Sequence, residues 1–361
     1  MPRSLLLKNI VVLALVVAGC SDPAEDARDS DGADNPAAAT TTVGGEGSIP
    51  SASSAGCEVE VPESGESAVT VTSGGVDRSY LRYIPEGLKS GAAAPLIIDF
   101  PAYSPAELET SFSGFTKPDA DGEVLADRVG AIVVTPEPVN GAGSLLTWNY
   151  VGTDGWTDDR RFVADLLDDV GGDACIDEDR VLATGFAVGA VFASIVACEM
   201  PGRFAALATV SGLYDPETCD ASAALPVVSF HGTGDRFIPF DGGVGDGAAN
   251  LGLSDATTAG LVFMAQREGA PESSTGWAER GGCDPEPVVD LATDTSGGGG
   301  VSRTIWTDCD AGIDVELYVI DQGEHTWPGS VGMNAYTGLL GPVSNTVDAS
   351  QEIWDFFQDH T

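Results

Sequence analysis

Six short runs in this chain are apolar almost without interruption: Pro95 to Ile98, Ala131 to Val134, Arg180 to Ala183, Ala205 to Val210, Pro226 to Phe230 and Val315 to Ile320. A strand-length run with no polar face must be covered on both sides, which is the mark of a parallel sheet. Between the runs lie helical patterns. Thr157 is placed to cap a segment in which Val163, Leu166, Leu167 and Val170 recur at helical spacing, and Gln351 to Phe357 turns Ile353, Trp354 and Phe357 to one side. Ahead of them, Ala68 to Val71 and Ser79 to Tyr83 alternate on either side of Gly74-Gly75, which predicts an antiparallel hairpin. Strands alternating with helices predict a doubly wound α/β sheet with right-handed crossovers. The Gly- and Asp-rich stretches 241–256 and 294–300 read as surface loops, and no internal repeat is visible.

The N-terminal residues read differently. Arg3 and Lys8 precede an apolar run from Ile10 to Val17, too short for a membrane span, followed by Val17-Ala18-Gly19-Cys20. This resembles a bacterial lipobox, which predicts a signal peptide over residues 1–19 and a diacylated Cys20 anchoring the chain outside the membrane. An ordinary cleavable signal is the alternative. Residues 21–56 carry seven acidic side chains against Arg28 alone and little that is large enough to bury, so 20–56 reads as a disordered tether and 57–361 as one domain.

The formal charge is -40, from 56 acidic and 16 basic residues. Coulomb repulsion argues against nucleic acid or anionic lipid headgroups as partners; the charge reads as a solvated acidic surface that keeps an exported protein soluble. Of seven cysteines, lipidation of Cys20 leaves six, an even number that predicts three disulfides in an oxidising compartment. Fifteen pairings are possible. Their spacings lack the paired CxxC clusters of a zinc site, and the reading includes neither metal nor cofactor. The oligomeric state is left open.

The run Val181 to Thr184 leads into Gly185-Phe186-Ala187-Val188-Gly189, and a small-residue helix follows to about Met200, where Pro201 stops it. Strand, sharp turn and helix with flanking glycines form a nucleophile elbow, whose middle residue is strained and whose glycines let strand and helix approach closely. In the active pattern that middle residue is Ser; here it is Ala187. Two partners follow in order. Asp235 lies in His231-Gly232-Thr233-Gly234-Asp235, after the strand ending at Phe230, where the acid belongs. His325 lies in Gly323-Glu324-His325-Thr326-Trp327-Pro328-Gly329, after the strand ending at Ile320, where the general base belongs. The order nucleophile position, acid, histidine is that of α/β-hydrolases.

On HGTGDRFIPFDGG, GEHTWPG, RVLATGFAVGA, the ACE at Ala197 to Glu199 and VDASQEIWDFF, residues 68–360 resemble the polyhydroxybutyrate-depolymerase/feruloyl-esterase-like family of secreted ester hydrolases. The resemblance implies an α/β-hydrolase fold and a triad at Ala187, Asp235 and His325. It implies oxyanion donors at the amides of Val188 and Tyr103, and a ligand cleft lined by Trp148 and Trp327. A core role for Trp148 stands beside that last reading. The pairings it implies are Cys283 with Cys309, Cys198 with Cys219 and Cys57 with Cys175. His231 reads as structural support near the acid loop.

Two departures coincide. A methyl group at Ala187 cannot form an acyl-enzyme, and Pro101-Ala102 stand where the family has His-Gly before the second oxyanion donor. Together they predict a catalytically impaired, lipid-anchored protein that binds an ester or carbohydrate ligand. Alternatives are an active carboxylic ester hydrolase in which Ala187 is introduced or bypassed, with Ser211 as substitute, and a purely structural envelope lipoprotein. Thr184 and Ser194 are poorly placed to replace the nucleophile.

Overall fold

The computed structural model describes residues 53–142, 145–250, 263–292 and 300–361. The expected signal peptide, Cys20, nearly all of the tether and part of each expected Gly-rich loop lie outside these residues. Within them, the apolar runs become neighbours in one ten-stranded sheet. Its strands are β1 (Gly65–Ser73), β2 (Val76–Ile84), β3 (Ala94–Phe100), β4 (Ile132–Pro136), β7 (Ile176–Phe186), β8 (Ala206–Val210), β9 (Val227–Gly232), β10 (Val288–Ala292), β11 (Val301–Trp306) and β12 (Val315–Ile320). A separate hairpin pairs β5 (Asn140–Ala142) with β6 (Leu145–Thr147).

The spatial order is β1-β2-β4-β3-β7-β8-β9-β12-β11-β10. β4, β3, β7, β8, β9 and β12 run parallel, while β1, β2, β11 and β10 add antiparallel edges. β3, β4, β8 and β9 are buried along their whole length, as their unbroken apolar runs require. The first hairpin turns at Gly74 and Gly75 with φ of 59° and 84°, a backbone that glycine adopts without Cβ strain.

Helices cover both faces: α1 (Ala106–Ser113), α2 (Leu125–Val129), α3 (Asp159–Asp173), α4 (Val188–Glu199), α5 (Asp246–Asn250), α6 (Ala270–Arg280), α7 (Thr337–Leu340) and α8 (Ala349–Asp359). Leu96, Ile98, Ala183 and Leu207 pack with Phe162 and Leu166 of α3, Phe192 of α4 and Trp277 of α6. Ile97, Val133, Leu182 and Val228, from the opposite face, pack with Phe112 of α1 and with Ile353, Trp354 and Phe357 of α8. Each such side chain, fully buried, stabilises the fold by roughly 1.5–3 kcal/mol.

Three expectations about boundaries are corrected. The cap of α3 is Asp158, whose carboxylate accepts from the Arg161 amide, because Thr157 is engaged by Asn140. The folded part begins before residue 57: Ser53 bridges Asp177, the Ser54 amide donates to the Ile176 carbonyl, and a Cβ on Gly56 would sit 2.2 Å from the Ala174 oxygen. The stretch 241–256 is not all loop, since α5 occupies its middle. The disulfides are Cys57–Cys175, Cys198–Cys219 and Cys283–Cys309, as the resemblance implied.

The chain winds from β3 outward to β4 and then returns to β7 on the other side, so the winding direction reverses between β3 and β7. In open α/β sheets the carboxyl ends of the strands at such a reversal form the functional crevice. Phe100, the last residue of β3, is paired with Gly185 there.

Candidate active site

At the end of β7 the chain turns at Ala187, with φ 53° and ψ -122°, and enters α4 directly. A non-glycine residue with positive φ is strained, and the surroundings show what enforces it. A Cβ on Gly189 would lie 2.0 Å from the Phe100 carbonyl oxygen, one on Gly185 2.6 Å from the same atom, and one on Gly212 2.2 Å from the Ala187 oxygen. The ends of β3, β7 and β8 are thus packed backbone against backbone. The Ala187 amide donates to the Val210 carbonyl (3.0 Å), and its own carbonyl accepts from Val191 (3.1 Å). Val188, the first residue of α4, has an amide with no acceptor inside the helix.

Asp235 and His325 meet, although 90 residues apart. The imidazole Nδ1 donates to Asp235 Oδ2 at 2.7 Å. Asp235 Oδ1 accepts from the amides of Phe237 (2.8 Å) and Ile238 (2.9 Å), so the carboxylate is held from both sides. Burial disfavours its charge, but the His325 imidazole and its hydrogen bond outweigh burial and hold the carboxyl below its ordinary range. His325 is 5% exposed and lies between the rings of Phe186 (4.7 Å between centroids) and Phe237 (5.0 Å). Phe186 directly precedes Ala187, which joins the elbow to the histidine. Its Nε2 has no protein partner among the described residues.

His231 has the structural part expected of it. Its Nε2 donates to the Ile238 carbonyl (2.8 Å) and lies 3.6 Å from Asp235 Oδ2; burial lowers its pKa to about 4, so it stays neutral at pH 7.

The Phe100–Ser104 loop is tied at consecutive points. Trp148 Nε1 donates to the Pro101 carbonyl (2.7 Å), Thr147 Oγ1 to the Ala102 carbonyl (3.4 Å), and the Ser104 amide to the Leu146 carbonyl (2.9 Å). Among the described residues, no hydrogen bond engages the Tyr103 amide, the expected second oxyanion donor.

Trp148 and Trp327 do not line a cleft. Both are 0% exposed. Trp148 stacks on Phe192 at 4.6 Å, and Trp327 donates to Ser350 Oγ (2.9 Å) with its ring edge-on to Phe115. Each indole N–H found a partner inside the core, so the whole ring could be buried. Nor does a substitute hydroxyl reach His325. Ser194 Oγ donates to Ala190, while Thr184 and Ser211 are buried with no partner for their oxygens. Sequence reasoning missed Phe186, Phe237 and a row of contacting rings, Tyr150, Phe263 and Tyr214, next to this region. Their aromatic character was legible, but the contacts depend on loops brought together only by the fold.

Known proteins match parts of this chain. The family model "Esterase PHB depolymerase" matches residues 112–248, a span containing the elbow and Asp235. Feruloyl esterase B of Piromyces equi is 25% identical over 254 residues, 69% of this chain and 42% of that protein. Feruloyl esterase C of Emericella nidulans is 26% identical over 227 residues, 63% of this chain and 64% of that one. The chain spans about half the length of the curated relatives it matches. Among solved structures, the acetyl xylan esterase from Aspergillus awamori superposes with a TM-score of 0.46 at 15% identity, over 76% of this chain and 98% of that one. The chain, with an α/β fold, is thus similar to the polyhydroxybutyrate-depolymerase/feruloyl-esterase-like esterases, whose family model matches its residues 112–248.

Proposed function

We propose that this chain is an ester-hydrolase fold kept as a ligand-binding protein, with Ala187 in the nucleophile's place and Asp235, His325 and the amides of Val188 and Tyr103 as the remaining site. The observation that carries this is the strained turn at Ala187 (φ 53°), adjoining a Phe186 ring that lies on the histidine bonded to Asp235. A serine there would face a general base; a methyl group offers no nucleophile. Loss of a triad nucleophile lowers turnover by roughly a millionfold. The ligand class is a small or polymeric ester or carbohydrate conjugate, and the Val17–Cys20 lipobox supports tethering outside the membrane through acylated Cys20.

The test is hydrolysis of p-nitrophenyl acetate and of a feruloyl ester, with and without a serine-directed phosphonate. Negligible, phosphonate-insensitive turnover is expected; rates normal for a serine esterase contradict the reading. Ala187→Ser alone is expected to recover little, because Pro101-Ala102 also depart from the active pattern; high activity in that variant contradicts the reading of the Phe100–Ser104 loop.

The burial of Trp148 and Trp327 favours a second reading, a structural envelope protein without ligand. Ferulate or a xylo-oligosaccharide shifting the amide resonances of Val188 and Tyr103 excludes it; no shift with any such probe supports it.

A further inference from the structure

Behind the Asp235 loop lies a buried cation that the site has not used. Arg267, in the segment leading into α6, is 4% exposed. Among the described residues no carboxylate is hydrogen-bonded to it. Its guanidinium donates instead to backbone carbonyls, from Nη2 to Pro239 at 2.8 Å and from Nη1 to Glu268 at 2.7 Å and to Leu213 at 3.4 Å. A guanidinium carries five donors in a rigid plane and accepts nothing, so its burial is tolerated only where several acceptors converge. Burial lowers its pKa to about 10, which leaves it charged at neutral pH.

Two of these carbonyls belong to opposite halves of the site. Pro239 follows Ile238, whose amide donates to Asp235 Oδ1 (2.9 Å) and whose carbonyl accepts from His231 (2.8 Å). Leu213 lies between two residues fixed to the elbow. A Cβ on Gly212 would sit 2.2 Å from the Ala187 oxygen, and the Tyr214 amide donates to Ser194 Oγ of α4 at 3.3 Å. The backbone around Arg267 is itself stitched to the acid loop, since its carbonyl accepts from the Gly243 amide (2.9 Å) and that of Phe240 from the Ala270 amide (2.8 Å). The longer contact, to Leu213, is backed from α6 by Trp277 Nε1, which donates to the neighbouring Tyr214 carbonyl at 2.9 Å.

We infer that Arg267 is a positioning residue: one guanidinium, donating to Pro239 and to Leu213, sets the Asp235–His325 pair at a fixed separation from the Ala187 turn. A planar fork can do this because its donors diverge in fixed directions. A lysine ammonium, on a flexible stem, cannot hold carbonyls from two segments in one geometry. The inference rests on the acid–histidine pair and the elbow as the two halves of the proposed site.

The test is NMR of the full chain with one reporter on each half, the low-field Nδ1 proton of His325 and the Val188 amide. In Arg267→Lys, which keeps the charge and loses the fork, both resonances are expected to move. The His325 proton is also expected to exchange with water about tenfold faster or more, because hydrogen bonds from a charged donor to the loop of its acceptor are lost. Arg267→Met is expected to do the same, and Arg267→Lys decides alone if that variant does not fold. The control is Val170→Ala in α3, fully buried near the start of β7 and so at the far end of that strand from Ala187. It lowers stability by leaving a cavity and is expected to move neither reporter. Wild-type behaviour in Arg267→Lys, whatever Arg267→Met does, would overturn the inference, as would a response on one half only or reporters that also follow Val170→Ala. Phosphonate labelling would sink the proposed function without touching these resonances.

Discussion

The two halves of the site are built by different means. On the nucleophile side, β3, the Ala187 turn and β8 are held by backbone packed on backbone, with glycines at the contacts. On the acid–histidine side, Asp235 and His325 are held by side-chain hydrogen bonds in a buried setting. Under the proposed function, the difference explains how a site loses its nucleophile without falling apart. Removing a serine hydroxyl from the first half leaves its shape intact, because no contact that sets the turn runs through the side chain. Removing either partner from the second half strands a buried polar or charged group. An Asp–His pair can therefore persist for stability alone in a chain with no nucleophile.

The contrast breaks first at Gly189. Its replacement by Ala forces a Cβ into the Phe100 carbonyl and is expected to cost about 3 kcal/mol or more in urea denaturation, whereas Gly172→Ala in α3, where a Cβ meets nothing, leaves stability unchanged or raises it by up to about 1 kcal/mol. Equal effects would mean that backbone packing does not hold the turn.

Next in size is His325→Ala, which strands Asp235 and is expected to cost about 2–3 kcal/mol at pH 7. Because the Asp235 carboxyl is held below its ordinary value of 3.8, the stability it contributes is present above that value and is lost as pH falls through its folded value. The cost of His325→Ala should shrink in acid; a constant penalty from pH 7 down to 3 would contradict this account of the pair.

Asp99 has the opposite sign. Its carboxyl is raised by burial from 3.8 to about 7, so its contribution is fully present below 3.8 and is lost as pH rises through 7. Wild type should lose stability relative to Asp99→Asn across that window; parallel curves would refute it. The smallest effect expected is that of Trp148→Phe, which keeps an aromatic ring beside Phe192 and gives up the hydrogen bond to Pro101, at about 1 kcal/mol in thermal or urea unfolding.

The parallel core was legible because six runs had no polar face, and the Ala187–Asp235–His325 order because each motif follows a strand. α1, β10, β11 and α6 gave no comparable signal: the burial pattern of β11 is intermediate at four of its six positions, and α6 carries Pro271, Glu272, Glu279 and Arg280 on an 11-residue span. The cleft assignments of Trp148 and Trp327 failed for a physical reason. An indole is a surface candidate only while its N–H lacks an internal acceptor, and the Pro101 carbonyl and Ser350 hydroxyl come from distant segments. The burial of Asp99 and Glu109 was hidden likewise, since a charged letter does not say what covers it.

The central claim is that the elbow carries no nucleophile, and intact-mass spectrometry after incubation with an activated phosphonate tests it most directly. No covalent adduct is expected on the chain with Ala187. A stoichiometric adduct would show that another side chain has taken the nucleophile's place and would contradict the account.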